Sequence, residues 1–347
     1  RGSPGAFCHT CFPCLKLASE CFCGAICTQL ARYDEEKRMV GRDMTQATAT
    51  EKGKTLDIGY GRTCDCKPSH INCLTAKEWL KCQLGVWQFY YEKRDIRDKK
   101  LHPAVFPISL ANKVISLFTH RGELVVDPFL GSGTTLVAAR DLDRNAVGFD
   151  LHKGYIALSR GRLAQLALDS TSMQLAVQDD ARNISQYLKE GAVSLVLTSP
   201  PYANLLNRKR KNKSRRGDLR KNEQYMEVEQ YSQDPRDLGT LDPAEFGKAM
   251  EEIFAGMLPL LKPKGHCVIN IPDVWWNNTR ITLHIVVVEA LRRAGYELRN
   301  TIIWDRMNIV NKVGIFGWPS NYITMGTTFE YLLDFWRPPA KRNRGGS

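Results

Sequence analysis

The stretch Glu123–Asp150, ELVVDPFLGSGTTLVAARDLDRNAVGFD, constrains the fold of this chain more than any other. Leu124-Val125-Val126 is an apolar β-type run that ends in Asp127. A tight loop with two glycines follows, Pro128-Phe129-Leu130-Gly131-Ser132-Gly133. Thr134-Thr135 then lead into a helical run, Leu136–Leu142, and a second β-type run, Ala146–Phe149, ends in Asp150. Strand, glycine loop, helix, strand and acid in this order form the layout of a nucleotide-type cofactor site at the carboxyl edge of a parallel sheet.

Gly131 and Gly133 allow the backbone to approach a ligand and to take positive φ without a Cβ clash. The helix opens at Thr134 or Thr135, either of which can cap it. Its free N–H groups and dipole favour a negative group. Asp150, at the tip of the next strand, is placed to accept both hydrogens of a ribose diol. A dinucleotide fingerprint needs a third glycine where the chain has Leu136, and a Walker A loop needs a lysine that is missing here. A ligand with a small carboxylate and a ribose but no pyrophosphate fits better, and S-adenosylmethionine is the natural candidate. The bland alternative is an ordinary buried βαβ turn.

The 347 residues are enough for one large domain with appendages or for two domains, and 43% hydrophobic residues can bury a substantial core. A formal net charge of +12 favours a polyanionic partner, nucleic acid by default. No apolar run reaches transmembrane length, so no membrane partner is expected. The apolar positions near Arg1 are interrupted by cysteines and polar residues, unlike a signal peptide. Of the eleven cysteines, six fall between Cys8 and Cys27, four between Cys64 and Cys82, and one is Cys267. An odd count without a secretory signal argues for reduced thiols inside a cell, in the nucleus for a eukaryotic source and in the cytoplasm for a prokaryotic one.

We expect a Cys-rich leader and linker over 1–54, a helical segment packing on the core over 55–107, the main domain over 108–337 with a basic insertion at 203–240, and a tail over 338–347. Cys8, Cys11 and Cys14 with Cys21, Cys23 and Cys27 have zinc-compatible spacing but lack well-separated C-x2-C pairs. Cys64, Cys66, Cys73 and Cys82 with His70 are a second candidate. Cys73 and Cys82 flank or lie in a helix opened by a Thr75–Glu78 capping box, so scattered thiols are expected and no metal is assigned.

Further along, helices are expected at Ser109–Thr119, Lys153–Leu168, Pro243–Leu261 and Thr282–Ala294, the third ended by Lys262-Pro263-Lys264-Gly265. Strands are expected at Met173–Val177, Val193–Leu197, His266–Ile271, Leu298–Trp304 and Phe329–Phe335, the last two as an antiparallel finish to an alternating α/β pattern. Asp180, after the Met173 strand, is placed to accept from an adenine amino group, with simple surface exposure as the alternative.

The strand at Val193 runs into Thr198-Ser199-Pro200-Pro201-Tyr202, on the same sheet edge as the glycine loop. This tetrad from Ser199 suits methylation of an exocyclic amine, whose lone pair is delocalised into the ring. Two acceptors on its hydrogens shift the nitrogen towards a tetrahedral nucleophile. Ser199 Oγ and the Pro200 carbonyl can be those acceptors, the consecutive prolines holding the carbonyl rigidly. Tyr202 would stack on the base. Positioning then does most of the work, with no covalent enzyme intermediate.

DPFLGSGTT followed downstream by TSPPY resembles the amino-methyltransferases of DNA, which make N4-methylcytosine or N6-methyladenine. The resemblance covers about residues 70–337 and implies an α/β, Rossmann-like class I methyltransferase fold: a mixed, mostly parallel seven-stranded sheet with helices on both faces. It implies S-adenosylmethionine as cofactor, held by Asp127, Pro128, Phe129, Gly131, Ser132, Gly133, Thr134, Thr135, Asp150 and Asp180. His102 and Phe106 belong to HPAVFP, which resembles the element before the family's cofactor motif. Ser199, Pro200, Pro201 and Tyr202 would carry the chemistry, and a serine first in that motif is typical of cytosine-N4 enzymes.

The cofactor half precedes the catalytic motif, as in a circular permutation of the commoner order. The chain ends soon after its last strand, so no large C-terminal target-recognition domain is expected. A Cys-rich leader and a basic run also suit a eukaryotic N4-cytosine member. That run, Arg208–Lys221, packs nine Lys or Arg into fourteen residues. Arg208, Lys209, Arg210, Lys211, Lys213, Arg215 and Arg216 can close on DNA phosphates. Trp275 and Trp276 are candidates for the base pocket or for the core. A duplex substrate would have its target base flipped out, and related enzymes often form homodimers. N6-adenine methylation, an RNA base substrate and a catalytically inactive DNA-binding scaffold are the rival readings.

Overall fold

In the computed structural model of this protein the described residues are 55–95, 106–164, 170–203, 234–276, 279–308, 317–318, 322–323 and 327–339, with the side chains at 275–276, 317–318 and 322–323 outside the description. The leader cysteines, His102, the basic residues from Arg208 to Arg216 and the side chains of Trp275 and Trp276 therefore lie outside the described residues. No described helix is long and apolar enough to cross a membrane.

In chain order, the first elements are helix α1 (Ala76–Cys82), strand β1 (Val86–Gln88), helix α2 (Ile108–Phe118), β2 (Leu124–Asp127), α3 (Thr134–Asp141), β3 (Asn145–Asp150), α4 (Lys153–Ala164), β4 (Gln174–Gln178) and β5 (Val193–Thr198). They are followed by α5 (Pro243–Met257), β6 (Leu261–Ile271), a small β7–β8 ladder (Val274–Trp276 and Thr279–Ile281), α6 (Leu283–Arg293), β9 (Glu297–Asp305), a two-residue β10–β11 ladder (Gly317–Trp318 and Tyr322–Ile323) and β12 (Phe329–Trp336). The main sheet runs β1-β9-β12-β6-β5-β2-β3-β4. All its pairs are parallel except those of β12, which is antiparallel to both β6 and β9.

Seven of these strands meet the Rossmann-like expectation, including its antiparallel finish. The eighth, β1, extends the sheet beside β9 and makes the segment after residue 55 more than a helical appendage. Its Trp87 is buried against Phe89 with ring centroids 6.1 Å apart, and the Lys113 ammonium lies 4.0 Å from the Trp87 ring centre.

Strand alternation separates two cores. Leu124 and Val126 face one cluster with Phe149, Val196 and Ile269, covered by α5 and α6 through Phe246, Phe254 and Val287. Val125 faces the other with Leu195 and Leu197, covered by α2 and α3 through Ile108, Val114 and Leu136. Each such buried side chain contributes about 1.5–3 kcal/mol over an exposed one, so the continuous apolar strands β2 and β5 fix the middle of the sheet.

Helix ends follow local chemistry. Thr75 and Glu78 make the expected capping box on α1, and Asp242 and Glu245 make another on α5, with Pro243 in its first turn. Helix α2 has Pro107 at its N-cap, which offers no side-chain acceptor; the Asp95 carboxylate accepts from Ile108 N instead, at 3.1 Å. One expectation fails here. Lys262-Pro263-Lys264-Gly265 does not end a helix but lies inside β6, looped out where the register with β5 jumps from Val193–Leu261 to Leu195–His266. A bulge accommodates Pro263 in a central strand, where an unbroken ladder would not.

Candidate active site

The sheet order reverses between β2 and β5, and a crevice opens at their carboxyl ends. One carboxylate, that of Asp127, holds its floor together. Thr198, the last residue of β5, donates from Oγ1 to Asp127 Oδ1 at 2.7 Å, and Thr135 donates from Oγ1 to Asp127 Oδ2 at 2.6 Å. Phe129 N donates to the same carboxylate at 3.1 Å. Asp127 is buried, which pushes its pKa up to about 6 against the three hydrogen bonds. It thus ties the glycine loop, the helix after it and the end of β5 to one point.

The loop's second glycine is set by packing. Gly133 sits at φ +81°, and a Cβ there would lie 2.7–2.8 Å from the Ser159 side chain on α4. Gly133 is also the N-cap of α3, with no side-chain cap. Thr134 and Thr135 are therefore inside the helix rather than capping it, and Thr135 spends its hydroxyl on Asp127. Arg162, buried on α4, donates to Ser132 O at 2.8 Å and to Thr134 Oγ1 at 3.2 Å, fixing the loop from behind.

A cleft of about 870 Å³, its open mouth included, lies above this loop. Of the residues assigned to the cofactor, Phe106, Pro128, Phe129, Gly131, Ser132, Thr134, Asp150 and Asp180 line it. Asp127, Gly133 and Thr135 do not; they form the support beneath. Asp150 accepts from Gly131 N and from His152 N, each at 2.8 Å, one on each oxygen. Each carboxylate oxygen keeps a further lone pair for a ligand donor. Burial pushes the Asp150 pKa up to about 6, with His152 N and Gly131 N pulling it back.

Asp180 accepts from Arg182 N at 2.9 Å and pairs with the Arg182 guanidinium at 3.1 Å. Beside it Asp179 accepts from Tyr187 Oη at 2.6 Å and Asn183 Nδ2 at 2.9 Å. The cleft is also lined by Asp179, the other acid at the tip of the Met173 strand, and by Leu151, His152, Tyr155, Asp237 and Leu238, which the sequence did not single out as site residues. His152 and Tyr155 had a readable signal, the turn just beyond the acid at the β3 tip. Asp237 and Leu238 had none.

Ser199, Pro200 and Pro201 line the same cleft. Tyr202 does not: its ring is buried behind them, and its hydroxyl lies 2.8 Å from Ser199 Oγ. This differs from the expected stacking role, because the chain turns at Pro200-Pro201 and carries the tyrosine back into the core. The Tyr202 hydroxyl also faces Glu330 Oε2 at 3.4 Å and Asn270 Nδ2 at 3.3 Å. Asn270 Nδ2 donates to Glu330 Oε2 at 2.7 Å, and Arg306 pairs with Glu330 Oε1. Asn270 on β6, Glu330 on β12 and Arg306 after β9 were missed because they come from three strands far apart in the chain. Asn270 alone had a visible cue, a polar residue near the tip of an apolar strand.

Parts of the chain are similar to known proteins. Residues 35–160 match the DNA methylase family model. The match takes in the whole glycine loop and stops before Ser199. The chain is 35% identical over 79 residues to the type II methyltransferase M.HpaI of Haemophilus parainfluenzae, covering 23% of this chain and 25% of that protein. It is 39% identical over 115 residues to the type II methyltransferase M.MjaI of Methanocaldococcus jannaschii, covering 28% of this chain and 36% of that protein. The chain thus spans between about a quarter and a third of these relatives. Among solved structures, a Burkholderia thailandensis 1,6-didemethyltoxoflavin-N1-methyltransferase with bound S-adenosylhomocysteine is similar at TM-score 0.40 and 12% identity, covering 67% of this chain and 78% of that one.

Proposed function

We propose that this protein transfers the methyl group of S-adenosylmethionine to an exocyclic amino group of a DNA base, with cytosine N4 as the target. The observation that carries the proposal is the single buried carboxylate of Asp127, which binds Thr135 beside the cofactor loop and Thr198 beside Ser199. A methyl donor lodged on the loop is thereby held next to an amine lodged on Ser199.

The residues present fit the cofactor. The Asp150 carboxylate can take the ribose hydroxyls, and the N-terminus of α3 with Ser132 can take the small carboxylate. Phe106, Pro128, Phe129, Leu151 and Leu238 offer an apolar bed for the adenine. When bound, the cofactor supplies the sulfonium methyl.

The protein's own contribution is to orient an acceptor. If Tyr202 donates to the Glu330 carboxylate, which Arg306 holds, its oxygen is left to accept the Ser199 hydroxyl hydrogen. Ser199 Oγ then turns its lone pairs to the cleft. With the Pro200 carbonyl it accepts the two amine hydrogens and frees the nitrogen lone pair for in-line attack. The choice of cytosine over adenine rests on Ser199 standing where the resemblance links a serine to cytosine N4. The basic residues from Arg208 to Arg216 would add phosphate contacts. Replacing those seven by glutamine should weaken DNA binding on all sequences alike and flatten its salt dependence.

The test is a methyl-transfer assay on double- and single-stranded DNA and on RNA, with nucleosides separated by mass spectrometry. Expected is N4-methylcytosine in DNA, reduced about 100-fold or more in Ser199→Ala with cofactor affinity unchanged. N6-methyladenine would keep the mechanism and change the base. Cofactor binding without any product on nucleic acid would overturn the substrate, and DNA binding without cofactor binding would indicate a scaffold.

A further inference from the structure

At the opposite end of β2 from the cleft, three thiols and an imidazole converge. Cys64 Sγ lies 3.3 Å from Cys66 Sγ, 3.5 Å from Cys73 Sγ and 3.4 Å from His120 Nδ1. Cys73 Sγ lies 3.8 Å from His120 Nδ1, and all four atoms fall within 4.8 Å of one another. Cys82, His70 and the remaining described thiol, Cys267, are not part of the group. The sequence offered Cys64, Cys66, Cys73 and Cys82 with His70 and favoured scattered thiols; the structure instead gathers the first three with His120, which the chain fold brings to them from the turn before β2.

We propose that Cys64, Cys66, Cys73 and His120 bind a structural zinc ion. A tetrahedral zinc with Zn–S of about 2.3 Å and Zn–N of about 2.0 Å sets its ligands about 3.5–3.8 Å apart. Four of the six ligand–ligand distances are 3.3–3.8 Å and all six are within 4.8 Å, so small side-chain shifts would close the tetrahedron. Three thiolates and one imidazole are the soft, nitrogen–sulfur set that selects zinc over magnesium or calcium. Four protein ligands fill a tetrahedron and leave no open position, so the site is structural rather than catalytic.

The surroundings are built to hold these ligands. Arg121 N donates to Cys73 Sγ at 3.4 Å, as outer-shell donors do for metal thiolates. Arg62 donates from Nε to Cys64 O at 2.8 Å and from Nη2 to Cys66 O at 2.9 Å, pinning the C-x-C segment. Ile71 and Leu74 exchange backbone hydrogen bonds of 3.0 Å around Cys73. Thr63 N donates to Arg121 O at 2.8 Å, bringing the first two cysteines against the histidine's turn.

The metal would staple residues 64–73 to the turn between α2 and β2. This is the ligand pattern of one folded unit, since metal affinity is gained only where both parts are in place. Nothing in the proposed methyl transfer passes through it.

Zinc content of the full chain, purified under reducing conditions and loaded with zinc, is measured by mass spectrometry. The reading is a difference between variants, so that any metal bound elsewhere in the chain cancels. Cys64→Ser and Cys73→Ser should each lose one zinc per chain relative to the unmodified protein, and Cys82→Ser should lose none. His120→Cys should keep that zinc, because a fourth thiolate completes the tetrahedron. Should the serine variants fail to fold, cobalt loading still decides: His120→Cys should intensify the thiolate-to-cobalt charge-transfer band of the unmodified protein. No tetrahedral cobalt spectrum, or unchanged zinc in folded Cys64→Ser and Cys73→Ser, would overturn the site.

Discussion

The two ends of β2, a strand of only four residues, carry two constellations assembled in opposite ways. At the carboxyl end, Asp127–Thr135 are contiguous, and one carboxylate gathers the hydroxyls and amide around it. At the amino end, His120 meets cysteines 47 and 56 residues away in the chain. The first is organised by backbone geometry that a short stretch encodes by itself. The second exists only once the segment from residue 55 has docked. The carboxyl end should therefore fail through loss of its centre, and the amino end through loss of its ligand, with little crossover.

The largest expected effect tests that independence directly. Asp127→Ala leaves the Thr135 and Thr198 hydroxyls and the Phe129 amide without their acceptor in a buried site. Each unsatisfied group costs about 1–3 kcal/mol, so stability in urea should fall by roughly 3 kcal/mol or more. Cofactor binding should be abolished while zinc per folded chain stays constant. Parallel loss of zinc would show that the two ends fold as one.

Gly133→Ala is expected to be milder. It forces a Cβ into positive φ and to within 2.8 Å of Ser159, a side chain that can shift only with α4. The backbone term alone is about 1–2 kcal/mol. A reduced midpoint in urea together with weaker cofactor binding checks it. A change in binding without a change in stability would mean that ligand approach, not packing on α4, requires this glycine.

How much of this was legible follows from the same contrast. The strands, the helices and the sheet class were readable because apolar runs and capping residues are local. The DPFLGSGTT loop and the TSPPY turn were readable because each holds several chemical groups within ten residues. The structure redistributes their roles: Gly133, Thr135 and Tyr202 face the protein rather than the cleft, since burial is decided by α4 and by β12, which the motifs do not contain. Asn270, Arg306 and Glu330 were unreadable as a group. A long-range ion pair leaves no periodic trace, and Glu330 is an acid inside an apolar strand whose neighbour is fixed only by antiparallel register. Glu330→Gln should lower turnover roughly 10-fold, as loss of an orienting partner does, without altering cofactor affinity.

The smallest effect separates the two acids of the carboxyl end. Burial raises Asp150 from the ordinary carboxylate range to about 6, so in the free protein it is ionised above that pH and protonated below it. Ribose hydroxyls donate best to the ionised form, since a protonated oxygen turns from acceptor to donor. Cofactor Kd should therefore rise as pH falls from 7.5 through 6. Because the ligand prefers the ionised form, its binding near pH 6 releases a proton, which calorimetry in buffers of different ionisation heat detects. Asp150→Asn should bind about 10-fold more weakly at pH 7.5, a difference of about 1.4 kcal/mol, and lose the pH slope. Asp127, also raised to about 6, remains in that variant. A slope that survives Asp150→Asn would thus assign the titration to the buried acid under the loop. The ribose would then be read by a group whose charge does not change in this range.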